Sequence, residues 1–308
     1  MAFNDAYRQQ VGLLIRVLPS VAAEECFALK GGTAINLFIR DLPRLSVDID
    51  LTYLPIEPRE QSLAAITAAL TRIAARIRAA IPGAKISLSP DPASATKLIV
   101  RAEETQIKIE VTPVLRGCVF EPEQRTVSAA VEEAFGYAEI AVVSFADLYA
   151  GKIVAALDRQ HPRDLFDIRD LLANEGIDDA LRQAFIVYLV SHDRPMSEVL
   201  APKLKDFSNE FLRGFEGMAE QAITQDELAA ARDALIAEIV GHMPEMHRQF
   251  LISFEQGSPD WDLLGVAGAS DLPAVRWRQQ NLDKLSDQRR TALVDRLAAV
   301  LGGDTTND

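Results

Sequence analysis

The pattern of apolar and polar positions changes character near residue 143. Upstream, runs with a period of two mix with runs of helical spacing. Downstream, apolar residues recur almost throughout at intervals of three and four. Val11, Leu14, Ile15 and Leu18 predict a first helix over roughly Asp5–Leu18. Cys26–Leu29 is a short apolar run that ends at Lys30-Gly31-Gly32-Thr33, and a helix is expected over Ala34–Ile39. Val47–Tyr53 alternates strictly: Val47, Ile49, Leu51 and Tyr53 face one way, Asp48, Asp50 and Thr52 the other, the signature of a half-buried strand. Leu63, Ile66, Leu70, Ile73 and Ile77 make an amphipathic helix that Pro82-Gly83 stops. Three further strands are expected at Lys85–Ser89, Lys97–Arg101 and Gln106–Thr112, and another at Ala138–Val143. In Gln106–Thr112, Ile107, Ile109 and Val111 lie opposite Gln106, Lys108, Glu110 and Thr112.

From Ser144 onward helices dominate. Ser144 to Asp147 approximates a capping box with Asp in place of Glu, and Thr224 to Glu227 matches one fully, opening an acidic amphipathic helix through Val240. The tail Gly302–Asp308 reads as frayed. The pattern predicts an α+β chain: a mixed β-sheet flanked by helices over 1–143, then a mainly α-helical lobe over 144–308.

Composition narrows the class. Of 308 residues, 48% are hydrophobic and 25% charged, which fits a packed, soluble chain better than a disordered one. No apolar run approaches the ~20 residues of a membrane helix, and no secretory leader is visible, so a cytoplasmic location and no membrane partner are expected. Two cysteines, Cys26 and Cys118, make no disulfide framework and read as small core residues. His192, His242 and His247 fall in predicted helices without evident ligand partners, and His161 falls in a loop. The net charge of −13 argues against a generally basic nucleic-acid binder but leaves room for a local basic channel, for which Arg72, Arg76, Arg78, Arg276, Arg278, Arg289 and Arg290 are candidates. Trp277, between two of these arginines, reads equally as a stacking platform for RNA and as a core residue.

The candidate chemistry starts from Asp48 and Asp50. Two residues apart on a strand, their Cα atoms lie ~6.5–7 Å apart on one face, which lets both carboxylates reach one divalent cation. Glu110, on the polar face of another strand, is the natural third carboxylate of a two-metal site. Taken alone, an Asp-x-Asp pair is more often a solvated face. Lys30-Gly31-Gly32-Thr33 adds a turn whose backbone can approach a ligand closely, ahead of a helix whose free N–H groups suit an anion.

Gly-Gly, a helix, Arg44-x-Ser46-x-Asp48-x-Asp50 on a strand, and a later Glu110 together resemble the nucleotidyltransferase superfamily, although the fifteen residues between Gly32 and Asp48 make a longer spacing than in many members. The run KGGTAINLFIRDLPRLSVDIDL is similar, more narrowly, to the AbiEii/AbiGii toxin family, which includes the MenT-type toxins. SFADLYAGKIVAALDRQHPRDLFDIRDL resembles that family's downstream motif, a helical Lys followed by Arg-Asp-x-x-Asp, and DLPAVRWRQQNLDKL its closing helix.

The resemblance implies a toxin of a toxin–antitoxin or phage-defence system that transfers a nucleoside monophosphate from an NTP to an acceptor, above all the tRNA 3′ end, and so blocks translation. It implies Mg²⁺ or Mn²⁺ on Asp48, Asp50 and Glu110. Lys30, Gly31, Gly32, Thr33, Arg44, Ser46, Lys152 and Arg159 would bind the nucleotide. Lys152 would act with Asp164 and Asp167, one of which would orient a basic group or accept the acceptor's proton. A cognate antitoxin is the implied protein partner, and phosphorylation of Ser46 would place ~−1.5 to −2 charge among the carboxylates. Two other readings stay open: a kinase-like transfer of the γ-phosphoryl group to protein, and a nucleotide-binding interaction protein without turnover.

Overall fold

The computed structural model describes residues 3–88 and 96–302. It divides into two compact units: Met1–Ser144 with Phe215–Ile223, and Phe145–Gly214 with Thr224–Asp308. Phe215–Ile223, assigned by the sequence pattern to the helical lobe, therefore belongs with the sheet. Arg44 forms an isolated antiparallel bridge with Ala219 there, and Leu45 N–H donates to the Met218 carbonyl.

In the first unit, helix α1 (Asp5–Ala22) starts at Asn4, whose side chain accepts from Ala6 N–H. It runs past Pro19, beyond the expected end at Leu18, because Val17, Leu18 and Val21 are fully buried. Strand β1 (Phe27–Lys30) leads into the short helix α2 (Gly31–Ala34) and a π-helical turn over Ile35–Ile39. Next come β2 (Asp48–Tyr53), α3 (Arg59–Ala80), β3 (Lys85–Leu88), β4 (Lys97–Ala102), β5 (Thr105–Arg116), β6 (Glu123–Thr126), α4 (Ala129–Phe135) and β7 (Glu139–Val142). Ser89, the expected end of β3, and the tail beyond Gly302 lie outside the described residues.

Among the described residues the strands form one seven-stranded mixed sheet in the order β3-β4-β5-β2-β1-β7-β6. β2 runs parallel to β5 and antiparallel to β1, and β1 is parallel to β7. The predicted alternation sets the two faces. Phe27, Leu29, Ile49, Leu51, Tyr53, Leu98, Val100, Ile107, Ile109 and Val111 are all buried. α1 packs against β5 and β7, and α3 against β3, β4 and β5. The opposite face carries the ionisable residues. β5 extends past its predicted end at Thr112 because a register shift at Thr52/Tyr53 moves the β2 pairing from Thr112 to Arg116.

The second unit is helical. It contains α5 (Phe145–Arg159), α6 (Pro162–Asn174), α7 (Asp179–Val190), α8 (Met196–Leu200), α9 (Ser208–Gly214), α10 (Gln225–Ile236), α11 (Glu245–Glu255), α12 (Pro273–Asp283) and α13 (Asp287–Gly302). α5 packs on α7 and α6, α6 on α10, and α11 on α13. Both hydrogen bonds of the Thr224–Glu227 capping box form. The helix that follows changes to a π-helical turn at Ala237–Gly241 rather than continuing to Val240 as one α-helix. No described helix is long and apolar enough to cross a membrane.

Candidate functional site

Register, more than any motif, assembles the site in the sheet unit. Asp50 pairs with Glu110 across the parallel β2–β5 ladder and with Lys30 across the antiparallel β1–β2 ladder. Asp48 pairs with Lys108, and Lys97 on β4 pairs with Glu110. Paired residues project to the same face. One row across the sheet therefore reads Lys97, Glu110, Asp50, Lys30, with Lys108 and Asp48 in the row beside it. Glu110 accepts from Lys108 Nζ at 2.9 Å, with Lys97 Nζ at 3.8 Å from the same oxygen. Burial pushes the Glu110 carboxyl upward, and the lysines outweigh it, so its pKa lies below the ordinary value. Lys30 shows the reverse: desolvation depresses its ammonium more than Asp50 raises it.

The diglycine turn lies against this face. Gly31 has φ +75, and a Cβ built there would stand 2.7 Å from Asp50 Oδ2. A Cβ on Gly32 would meet Arg44 Nη2 at 2.8 Å and Ser46 Oγ at 2.9 Å. Gly31 therefore serves close approach to β2, and Gly32 to the segment that leads into it. Thr33, expected to offer its hydroxyl to a phosphate, is buried; its hydroxyl donates to the Asp48 carbonyl and lies 3.1 Å from Ser46 Oγ. Arg44, expected to neutralise a leaving group, is 2% exposed and donates from Nη1 to the Leu45 carbonyl. Thr33 thus ties the turn to β2, while the Arg44 guanidinium lies against Gly32. Ser46 is 8% exposed, so a kinase would have to open this turn to reach it.

The donor set suits a hard divalent ion, because three carboxylates share one face. Among the described residues, however, no group of three His, Cys, Asp or Glu side chains stands close enough to hold one. Glu110 is instead turned to Lys108.

The helical unit holds its own charged cluster. Lys152 on α5 donates to Asp164 and Asp167 on α6, each at 2.9 Å. Arg159 grips Asp164 through Nε at 2.5 Å and Nη2 at 3.0 Å. Lys152 is 6% exposed, and both aspartates are 1% exposed. Burial would raise the Asp164 pKa, but Lys152 and Arg159 overrule it and hold the carboxyl far below the usual carboxylate range. Asp164 is therefore held as a charged hydrogen-bond acceptor of Lys152 and Arg159. Asp170, spaced like the other two, pairs with Arg169 instead.

Other expectations shift. Arg72 and Arg76 both pair with the buried Glu24, at 2.6 and 2.5 Å. Trp277 is 47% exposed rather than a core residue. His242 has a carboxylate partner in Glu238 at 2.6 Å, and His161 caps α6 by accepting from Arg163 N–H. Sequence reasoning missed Lys97 and Lys108. Lys108 shares the alternating face of Glu110, so its side was legible, but its neighbour Asp48 depends on a register that no local pattern encodes.

Known proteins match this chain in fold and in sequence. In fold, the chain is similar to the nucleotidyltransferase toxin MenT4 from Mycobacterium tuberculosis H37Rv, with a TM-score of 0.55 and 15% identity over 96% of this chain and 93% of that one. No curated protein matches the sequence. In sequence, residues 12–281 match the family model described as nucleotidyl transferase AbiEii toxin, type IV toxin–antitoxin system. The span includes the diglycine turn, both aspartates, Glu110 and the Lys152 cluster, and the chain belongs to the AbiEii nucleotidyltransferase toxin family.

Proposed function

We propose that the chain transfers a nucleoside monophosphate from an NTP to the 3′ end of tRNA, in a divalent-metal-dependent reaction that halts translation in the cytoplasm. The observation that carries the reading is the register that sets Asp48, Asp50 and Glu110 on one face, with Gly31 against Asp50. Bound Mg²⁺ or Mn²⁺ would supply charge neutralisation on the phosphates. Asp48 and Asp50 would be its first ligands, and Glu110 its third once released from Lys108. Lys30, Lys97 and Lys108 bring positive charge to the same face for a triphosphate, and the closely packed diglycine turn limits how the nucleotide enters. Catalysis would then be positioning plus electrostatic stabilisation.

Lys152 and Arg159 are proposed nucleotide-handling residues on the strength of their motif alone, and Lys152→Met assayed for transfer tests that part. The tRNA acceptor, like the cognate antitoxin, rests on the family resemblance. Of the α3 arginines, Arg72 and Arg76 pair with Glu24. Sequencing of tRNA 3′ ends after expression of the chain and of Asp48→Ala decides the acceptor. Added nucleotides in the first sample alone support tRNA; growth arrest with unchanged tRNA ends refutes it.

A further inference from the structure

We propose that the corner between α5 and α6, with the segment Lys203–Lys205 fastened to it, docks the phosphate backbone of the acceptor RNA. The inference rests on the RNA-acceptor reading above and deepens it. It starts from Gln160, which follows the last residue of α5 and stands at φ +53 although it is no glycine. A side-chain-bearing residue adopts that left-handed backbone at a cost, so its surroundings must hold it there. Gln160 is 1% exposed, and its amide is used at both ends. Nε2 donates to the Lys203 carbonyl at 2.8 Å, and Oε1 accepts from Lys205 N–H at 3.0 Å. Arg232 on α10 donates to the Lys205 carbonyl at 3.4 Å, and Lys205 Nζ donates to the Asp158 carbonyl at 2.8 Å. A stretch outside any helix or strand is thus fixed to the end of α5.

What this fastening presents is basic. Lys203, Leu204 and Lys205 are all exposed. Arg159 keeps 62% of its side chain in solvent while it holds Asp164, and Arg163 is half-buried at the start of α6. Lys203 and Arg163 form no ion pair among the described residues. Of the nearby acids, Asp158 pairs with Arg194, Asp164 is buried against Lys152 and Arg159, and Asp206 accepts from Ser208, which leaves Glu210 on α9. On a chain of net charge −13, four cations at one corner are a local exception that suits a polyanion. They lie at the surface, which fits a backbone laid across them better than an enclosed nucleotide. Leu204, between two lysines, adds apolar surface for a ribose or base.

The test follows binding of 3′-labelled tRNA to the full chain by fluorescence anisotropy, without NTP or metal, between about 50 and 200 mM salt. Lys203→Gln/Lys205→Gln should bind about 10-fold more weakly near 0.1 M salt and flatten the slope of log K against log[salt] by about 1.4–1.8, the share of two phosphate contacts. Lys203→Glu, a single surface change, serves if the pair folds poorly. Gln160→Gly keeps the left-handed backbone, frees the segment and should weaken binding too. Leu204→Ser should weaken binding with an unchanged slope. In transfer assays the lysine pair should raise KM for tRNA and leave kcat and the KM for NTP as in the parent. Lys85→Gln/Arg101→Gln removes the same charge from the sheet unit and should do less. Parental affinity and slope in the lysine pair, an equal loss in the Lys85/Arg101 pair, or a raised KM for NTP alone overturns the proposal while the acceptor reading stands. If the parent itself binds no tRNA, the acceptor reading fails and the docking surface with it.

Discussion

Replacing Gly31 by alanine asks two separate things of the turn. Gly31 sits at φ +75, in the left-handed region. An L-residue with a Cβ there costs about 1–2 kcal/mol. For a unit of this size that corresponds to a fall of about 2–8 °C in melting temperature. The new methyl would also stand 2.7 Å from Asp50 Oδ2, well inside the 3.4 Å at which ordinary contact begins. Asp50 must give way, and a displacement approaching ~1 Å at a reacting centre can cost ~100-fold in rate. Gly31→Asn should recover part of the stability, because Asn tolerates the left-handed region, but not the activity, because the clash remains. Gly32→Ala meets Arg44 and Ser46 without a left-handed backbone, so it should cost less stability than Gly31→Ala. Urea denaturation followed by circular dichroism, paired with nucleotide incorporation, reads both effects. Parental stability and activity in Gly31→Ala would show that neither the left-handed backbone nor the contact with Asp50 matters.

Lys152→Met removes the ammonium from which both buried aspartates accept, and should cost about 3–5 kcal/mol of stability in denaturant titration; an unchanged midpoint would show the network to be inert. Burial, with Arg163 nearby, lowers the His161 pKa to about 4. The folded state then binds fewer protons than the unfolded one between about pH 6.5 and 4, so stability is full above that window and falls as pH drops through it, by up to about 1.4 kcal/mol per pH unit. His161→Asn keeps a capping acceptor and should flatten that slope in pH-dependent melts. Glu255 is buried with Oε2 lacking a hydrogen bond, and burial raises its pKa. Its charging therefore costs stability as pH rises above the ordinary carboxylate value, and Glu255→Gln should stabilise the protein at pH 8 more than at pH 5.

The elements themselves were legible wherever burial is one-sided. β2 and β5 announced themselves because one face must be apolar and the other need not be, and that same alternation put Asp48, Asp50 and Glu110 on the half-buried polar face. Helices α1 and α3 followed from apolar spacing for the same reason. β6 was missed: Glu123–Thr126 is a short edge strand of polar residues and carries no alternation. Also illegible was who pairs with whom. Lys108 beside Asp48, and Glu24 beneath Arg72 and Arg76, depend on contacts far apart in sequence. The burial of Thr33 and Arg44, and the bond from the Thr33 hydroxyl to the Asp48 carbonyl, are likewise not written in their motif. The return of Phe215–Ile223 to the sheet unit likewise leaves no mark in local periodicity.

In the proposed function, the Asp48–Asp50 face directs attack at the α-phosphorus of an NTP. Purified protein incubated with total RNA, Mg²⁺ and each NTP, labelled in parallel at the α- and γ-positions, tests it most directly. α-Label should appear in RNA, γ-label in no macromolecule, and the α-signal should be lost in Asp48→Ala and Asp50→Ala. γ-Label in protein, or α-incorporation that survives both substitutions, would contradict it.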